Sequence, residues 1–475
     1  MNRKAIVLLA AALGVAGLSF GGYRAWQASG RDEVLRASVP ERPDLSDRPA
    51  ELRKRILTCE EIVQNGPQRL EGLRELGSLY HANGYYAEAS RCYQALMAVE
   101  PGEPRWPHLL ADILAGYGQL EDAIPLWRRT VELDPRHLPA GIRLGDALLK
   151  VNDEAAATQA YEQVLSQAPG NAHALAGLAR VDVRNERFAQ ARDKLERAAR
   201  QSGSSIGADL LVTVYEKLGL NAEAEQMRGR VKASGAFFDP FDPWLNEIFE
   251  NCYDSYRLSI AAGNIMRGGD PSHGLRLLQR ATALAPNSAP IFYQLGTTLA
   301  GMEDARAALR AFEKVVALDP TFSDGWVQMI ELYKRLGQQD AAERTLAQGL
   351  VHCPRSPALH LERGRRLAAA GRVDQAMAEF RLTLSLRPEE SEPYVELAKL
   401  HLGRDQIDEA ISELERAFKA EPGNPIVLTT LALVSISKGD KAQADRWMQQ
   451  VWLQPRVKAE QRAQLAGLYQ QRFGR

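Results

Sequence analysis

Three residues that lie close together, His352, Cys353 and His360, carry donor types that bind zinc and related metals. A zinc site there would need a fourth ligand and a fixed geometry. The four cysteines, Cys59, Cys92, Cys252 and Cys353, are widely spaced and make no C-x-x-C. They read as buried free thiols, with one disulfide left open if the chain lies outside the cytoplasm. The eight histidines never stand four residues apart. No H-E-x-x-H, G-x-S-x-G, G-x-x-x-x-G-K-[ST] or C-x-x-C-H occurs. Carboxylates are plentiful, but they fall at intervals expected for ion pairing on solvated helix faces. A catalytic acid needs burial or a like-charged neighbour, and the sequence singles none out. The expectation is therefore no catalytic residue, no cofactor and no metal.

The bulk numbers narrow the class further. The chain has 475 residues and a formal net charge of -1, with both signs mixed along its length. It offers no basic surface suited to nucleic acid and no acidic tail. A chain this long exceeds one ordinary core, unless it is built of units that pack only on their neighbours.

Such units are present. Pro101, Pro135 and Pro169 recur at 34-residue steps, and so do Pro286, Pro320, Pro354, Pro388 and Pro422. With this proline at position 32 of a unit, position 20 is alanine at Ala89, Ala123, Ala157, Ala191, Ala224, Ala308, Ala342, Ala376, Ala410 and Ala444, and glycine at Gly274. Position 24 is large and apolar, as in Tyr93, Trp127, Tyr161, Phe312 and Phe380. Position 8 is small, as in Gly77, Ala111, Gly145 and Gly296. Each unit reads as two helices with apolar stripes. Glycines such as Gly84, Gly118 and Gly337 turn the chain between them, and proline ends the second. Small residues at 8 and 20 allow close approach, and the bulky residue at 24 fills the space beside them.

These residues (Leu76-Gly77, Tyr80, Gly84, Tyr86, Ala89, Tyr93 and Pro101, then Leu295-Gly296, Ala308, Phe312 and Leu318-Asp319-Pro320) resemble the tetratricopeptide repeat. The resemblance covers roughly residues 70–456, apart from 239–254. It implies an all-α, right-handed superhelical solenoid of about eleven helix-turn-helix units in two in-phase sub-arrays. The units start near 70, 104, 138, 172, 205, 255, 289, 323, 357, 391 and 425. Two departures stand out: Arg228 occupies a bulky apolar position, and Arg363 replaces the leucine of position 7. The family presents its first helices to a concave groove that binds other proteins or peptides. Groove candidates here are Asp112, Asp146, Arg180, Glu331, Arg365 and Lys399 at position 9. No unit has asparagine there, which disfavours the carboxylate-tail mode of chaperone-binding members.

The repeats break at an aromatic stretch that includes Phe238, Phe241, Trp244 and Phe249. Asp242-Pro243 can start a helix, and the first helix of the sixth unit is expected to extend back to about Pro243. The aromatics either plug the joint between sub-arrays or belong to a segment that crosses the groove and competes with a ligand.

The expected layout is a cytoplasmic head 1–4, an apolar run 5–22 and a flexible spacer 23–50. A sub-array 51–238, the aromatic joint 239–254, a second sub-array 255–456 and a capping helix 457–475 follow. Ala5 to Gly22 follows Arg3 and Lys4 and carries no charge. It reads as a signal anchor in a single-pass inner membrane, with a cleaved signal peptide as the alternative. Either way the array is expected outside the cytoplasm. The functional expectation is a non-catalytic scaffold tethered to the membrane through that helix alone. The alternatives are a periplasmic factor guiding a polysaccharide-export or cytochrome-maturation complex, and a regulatory subunit of an enzyme complex.

Overall fold

The computed structural model describes residues 30–202, 206–234, 239–454 and 456–474. The head 1–4 and the apolar run 5–22 lie outside them. Among the described residues there is no strand, and helices follow one another in pairs joined by tight turns. The turns need a left-handed residue, and seven glycines, among them Gly84, Gly118 and Gly337, have φ between 71° and 104° there. In four other turns the left-handed position is held by Asn152, Glu186, Glu303 and Asp405, with φ of 58° to 65°. These four turns carry no glycine signature in the sequence.

The alanines at position 20 are buried throughout, and so are the bulky residues at 24. The structure adds a rule that joins position 8 to position 24. Where 8 is glycine, 24 is a six-membered ring: Gly77 with Tyr93, Gly145 with Tyr161, Gly296 with Phe312 and Gly364 with Phe380. A methyl group added at Gly145 would sit 2.5 Å from the Tyr161 ring, and one at Gly296 would sit 2.6 Å from the Phe312 ring. The ring therefore lies flat on bare helix backbone. Where 8 is alanine, 24 is Trp127, Leu195, Leu278, Leu414 or Met448.

The chain divides into two compact units. The first holds the described residues up to Gly207 together with those of Phe237–Leu284, and the second holds Ala208–Ala236 and Ala285–Arg475. In the first unit, part of the stretch read as a spacer packs on the array. Leu35 and Leu45 are buried, Arg42 pairs with Glu60, and Arg69 lies 3.3 Å from Asp32. In the second unit the helix Ala459–Phe473 closes the last repeat. Its Leu465 is buried, and Leu468, Tyr469 and Phe473 pack on the same cluster as Trp447 and Leu431. The outlier Arg363 finds Glu379 at 3.4 Å instead of an apolar neighbour. Arg228 pairs with Glu216 and Glu225.

Candidate functional site

The helix expected to run back from the sixth unit to Pro243 is broken. Asp242 caps a short helix Pro243–Ile248 by accepting from the Leu245 amide, and a 3-10 turn follows at Phe249–Asn251. Asp254 then caps a new helix, Ser255–Arg267. The break has a physical cause outside the segment. Asn83, at the end of the helix Arg69–Ala82, donates from Nδ2 to the Asn251 carbonyl at 2.9 Å, and its Oδ1 accepts from the Tyr253 amide at 2.7 Å. One side-chain amide thus takes both backbone groups that a continuous helix would have used.

Further contacts hold the segment to the same repeats. Asn251 donates to Ser78 Oγ at 2.8 Å. Arg55 donates to Asn251 Oδ1 and the Tyr253 hydroxyl, at 2.9 and 3.3 Å. Arg257 donates to the Ala82 carbonyl and the Tyr86 hydroxyl, each at 2.9 Å. Within the first unit, the segment is therefore held by the helix Ala50–Asn65 and by both helices of the first repeat, Arg69–Ala82 and Tyr86–Val99.

The densest polar cluster lies where Asp242 enters. His108 stands on the helix Arg105–Gly116, His137 precedes the helix Leu138–Lys150, and Arg143 lies on that helix. His108 Nε2 is 2.7 Å from Asp242 Oδ2, and His137 Nε2 is 3.6 Å from Asp242 Oδ1. Arg143 lies 3.1 Å from Asp112 and 3.7 Å from Asp242. His108 is 0% exposed, Asp242 3% and His137 7%. The Trp244 ring stacks on His137 with centroids 3.5 Å apart and closes that side.

Burial works to raise the Asp242 pKa. The His108 hydrogen bond and the charges of His108, Arg143 and His137 outweigh it and bring it to about 2. Burial, then the neighbouring His108, pushes His137 down to about 4. Arg143 is also desolvated, yet Asp112 and Asp242 hold its proton more firmly than usual. At neutral pH the cluster is thus a buried carboxylate facing the His108 ring as a hydrogen-bond donor, a neutral His137 imidazole and a guanidinium. A cavity of about 350 Å³ adjoins it, lined by His81, Tyr86, Asp112, Arg143, Phe241 and Arg257 among others.

The six groove candidates all have partners of opposite charge. Asp112 pairs with Arg143, and Asp146 accepts from Arg180 and from the Tyr161 hydroxyl, each at 2.6 Å. In the second unit Glu331 lies 3.3 Å from Lys334, which also reaches Glu362 at 3.3 Å. Arg365 pairs with Glu392 and lies 3.7 Å from Glu396, and Lys399 reaches Glu396 at 3.0 Å. The charged residues at position 9 therefore join ion pairs along the array. Among the aromatic candidates, Trp244 covers His137, Phe241 and Phe249 line the cavity, and Phe238 lies outside the described residues.

His360 and Cys353 are bonded elsewhere. His360 Nδ1 is 2.7 Å from Glu379, its Nε2 is 3.0 Å from the Pro354 carbonyl, and Cys353 donates to the Pro320 carbonyl. The four cysteines are free and buried. Burial raises all four pKa values, that of Cys59 to about 12, so these thiols are poor nucleophiles.

Sequence reasoning did not find His108, His137, Arg143 or Asn83. Asp242 was read only as a helix start. The available signal was His108 between Pro107 and Leu109 on a first helix, and His137 at the joint before Leu138.

Tetratricopeptide repeat family profiles match residues 151–205 and 250–469. A cellulose synthase operon protein C of Xanthomonas axonopodis pv. citri is 25% identical over 360 residues, 73% of this chain and 20% of that protein. A protein of the same description in Pseudomonas fluorescens is 22% identical over 408 residues, 82% of this chain and 28% of that one. The chain thus spans only a fifth to a little over a quarter of the length of these curated relatives. Among solved structures, yeast Tom70 aligns over 85% of this chain and 95% of its own at 16% identity, with a TM-score of 0.39. Among the described residues no helix is long and apolar enough to cross a membrane. With repeat geometry preserved in both units and the profiles covering more than half its length, the chain belongs to the tetratricopeptide repeat family.

Proposed function

We propose that the chain is a non-catalytic protein-interaction scaffold that works outside the cytoplasm, held to the membrane by Ala5–Gly22, and that it serves assembly of a polysaccharide-producing or exporting complex. The observation that carries the scaffold reading is the array itself. Its buried positions are spent on helix packing, and its partnered charges lie in ion pairs along exposed first-helix positions. The polysaccharide assignment draws support from relatives described as cellulose synthase operon protein C. The topology draws support from Arg3 and Lys4 ahead of an uncharged run.

The test combines topology with capture. Protease added to spheroplasts is expected to digest the array while the protein resists carbonate extraction. Mild crosslinking of the full chain is then expected to enrich envelope proteins of glycan synthesis or export. Protection of the array until the inner membrane is broken overturns the location. Enrichment of cytoplasmic partners alone overturns the polysaccharide assignment.

A further inference from the structure

We propose that His108, His137 and Asp242 bind one divalent transition-metal ion of the zinc type, which fastens the 239–256 segment to the first repeats. One nitrogen of each imidazole and one carboxylate oxygen already lie within 4.8 Å of one another. Two imidazoles and one carboxylate are a donor set that suits zinc and its neighbours, with a further position left for water or a ligand. All three side chains are more than nine-tenths buried, so they are held in place before any ion arrives.

A second observation points to a ligand. His137 Nε2 is buried, faces Asp242 at 3.6 Å and makes no hydrogen bond. A buried ring nitrogen without a partner is costly, and a coordinated ion removes that cost. Charge is also suitable. Two carboxylates, Asp242 and Asp112, stand against the single guanidinium of Arg143 that bridges them, so the acceptor oxygens are not all taken up by that cation. Arg143 lies closer to Asp112 than to Asp242, so its cation is turned mainly to another partner.

Two of the donors lie near the two ends of the repeat that starts near 104, and the third lies more than a hundred positions further along. Coordination would therefore close a long loop, the geometry in which a metal clip constrains the unfolded chain most. The contacts of Asn83 and Arg257 already seat the segment, so the ion would lock an arrangement that exists without it.

The test uses the full chain, stripped with a chelator and titrated with Zn2+ and with Co2+ as a spectroscopic probe. The expected result is one ion per chain with a Kd of micromolar or tighter, visible Co2+ bands of low-coordinate type, and a rise of about 2–4 °C in Tm at saturating Zn2+. His137→Ala is expected to lose binding at least tenfold without unfolding the array, because its free nitrogen supports no hydrogen bond. Asp242→Asn retains the shape and is expected to lose binding likewise. His360→Ala is expected to bind as the parent chain does. Absence of stoichiometric binding in the parent chain overturns the site, and so does full binding by folded His137→Ala or Asp242→Asn.

Discussion

The two compact units use the same repeat and meet their charges differently. In the first, a segment of the chain enters among the first helices and brings a carboxylate that is almost fully buried beside His108 and Arg143. In the second, the charges on equivalent helices, Arg365 and Lys399 among them, pair with Glu392 and Glu396 where water still reaches them. Removing one partner of a buried pair leaves the other unsatisfied at high cost, whereas an exposed pair contributes little. The same repeat thus carries a polar core in one region and an adaptable polar surface in the other.

The largest expected effect tests that contrast directly. Asp242→Ala should destabilise the first unit by about 3–5 kcal/mol in urea unfolding, because Arg143 and His108 lose a buried partner. Arg365→Ala in the second unit should cost less than about 1 kcal/mol. Equal costs would erase the distinction between the units.

A pH effect of similar size should belong to the first unit. Burial of His81 lowers its pKa to about 4, with Asp112 opposing and Arg257 and His108 adding to the shift. The Tyr93 hydroxyl sits 3.2 Å from its Nδ1, and the Tyr86 ring packs edge-on. An unfolded histidine takes up a proton near pH 6.5, well above the folded value. Stability from this group is therefore complete above pH 6.5 and falls by about 1.4 kcal/mol per pH unit down to about 4. His81→Phe should take about 1.4 kcal/mol per pH unit off the slope between pH 6.5 and 4, leaving the share of His137. An unchanged slope would assign the loss to other groups.

Packing should not distinguish the units at all. Gly145→Ala and Gly296→Ala, one in each, both press a methyl group into a ring and should each cost about 1–3 kcal/mol. A large difference between them would show that the core geometry differs as well as the polar layer. The smallest effect has the opposite sign. Glu303→Gly relieves a left-handed side-chain residue in a turn and should stabilise by about 1 kcal/mol.

Much of the fold is legible because a 34-residue period repeats each packing decision. Ala308 and Phe312 are buried for the same reason as Ala157 and Tyr161, so one reading serves many positions. The polar cluster had no such redundancy. His108 and Asp242 lie more than a hundred residues apart and belong to no periodic set, so only the folded chain brings them together. Asp254 could have been recognised as a cap ahead of Ser255, and that would have exposed the helix break. The two-pronged grip of Asn83 could not, because nothing local distinguishes it from an ordinary helix-end asparagine. The left-handed Glu186 and Glu303 escaped because glutamate gives no turn signal, and the surrounding packing imposes the conformation.

The glycine-ring pairs bear on how such an array can change over generations. Converting a Gly296–Phe312 unit into one of the Ala–Leu kind takes two substitutions in different helices. Alanine first means a collision with the ring, and leucine first means a void over bare backbone. Either intermediate packs less well than both ends, so the pair resists stepwise drift. Duplication or recombination of whole repeats avoids the obstacle, because both residues travel on one fragment. Mosaic inheritance of intact repeats is thus the easier route by which the two kinds come to alternate along one chain.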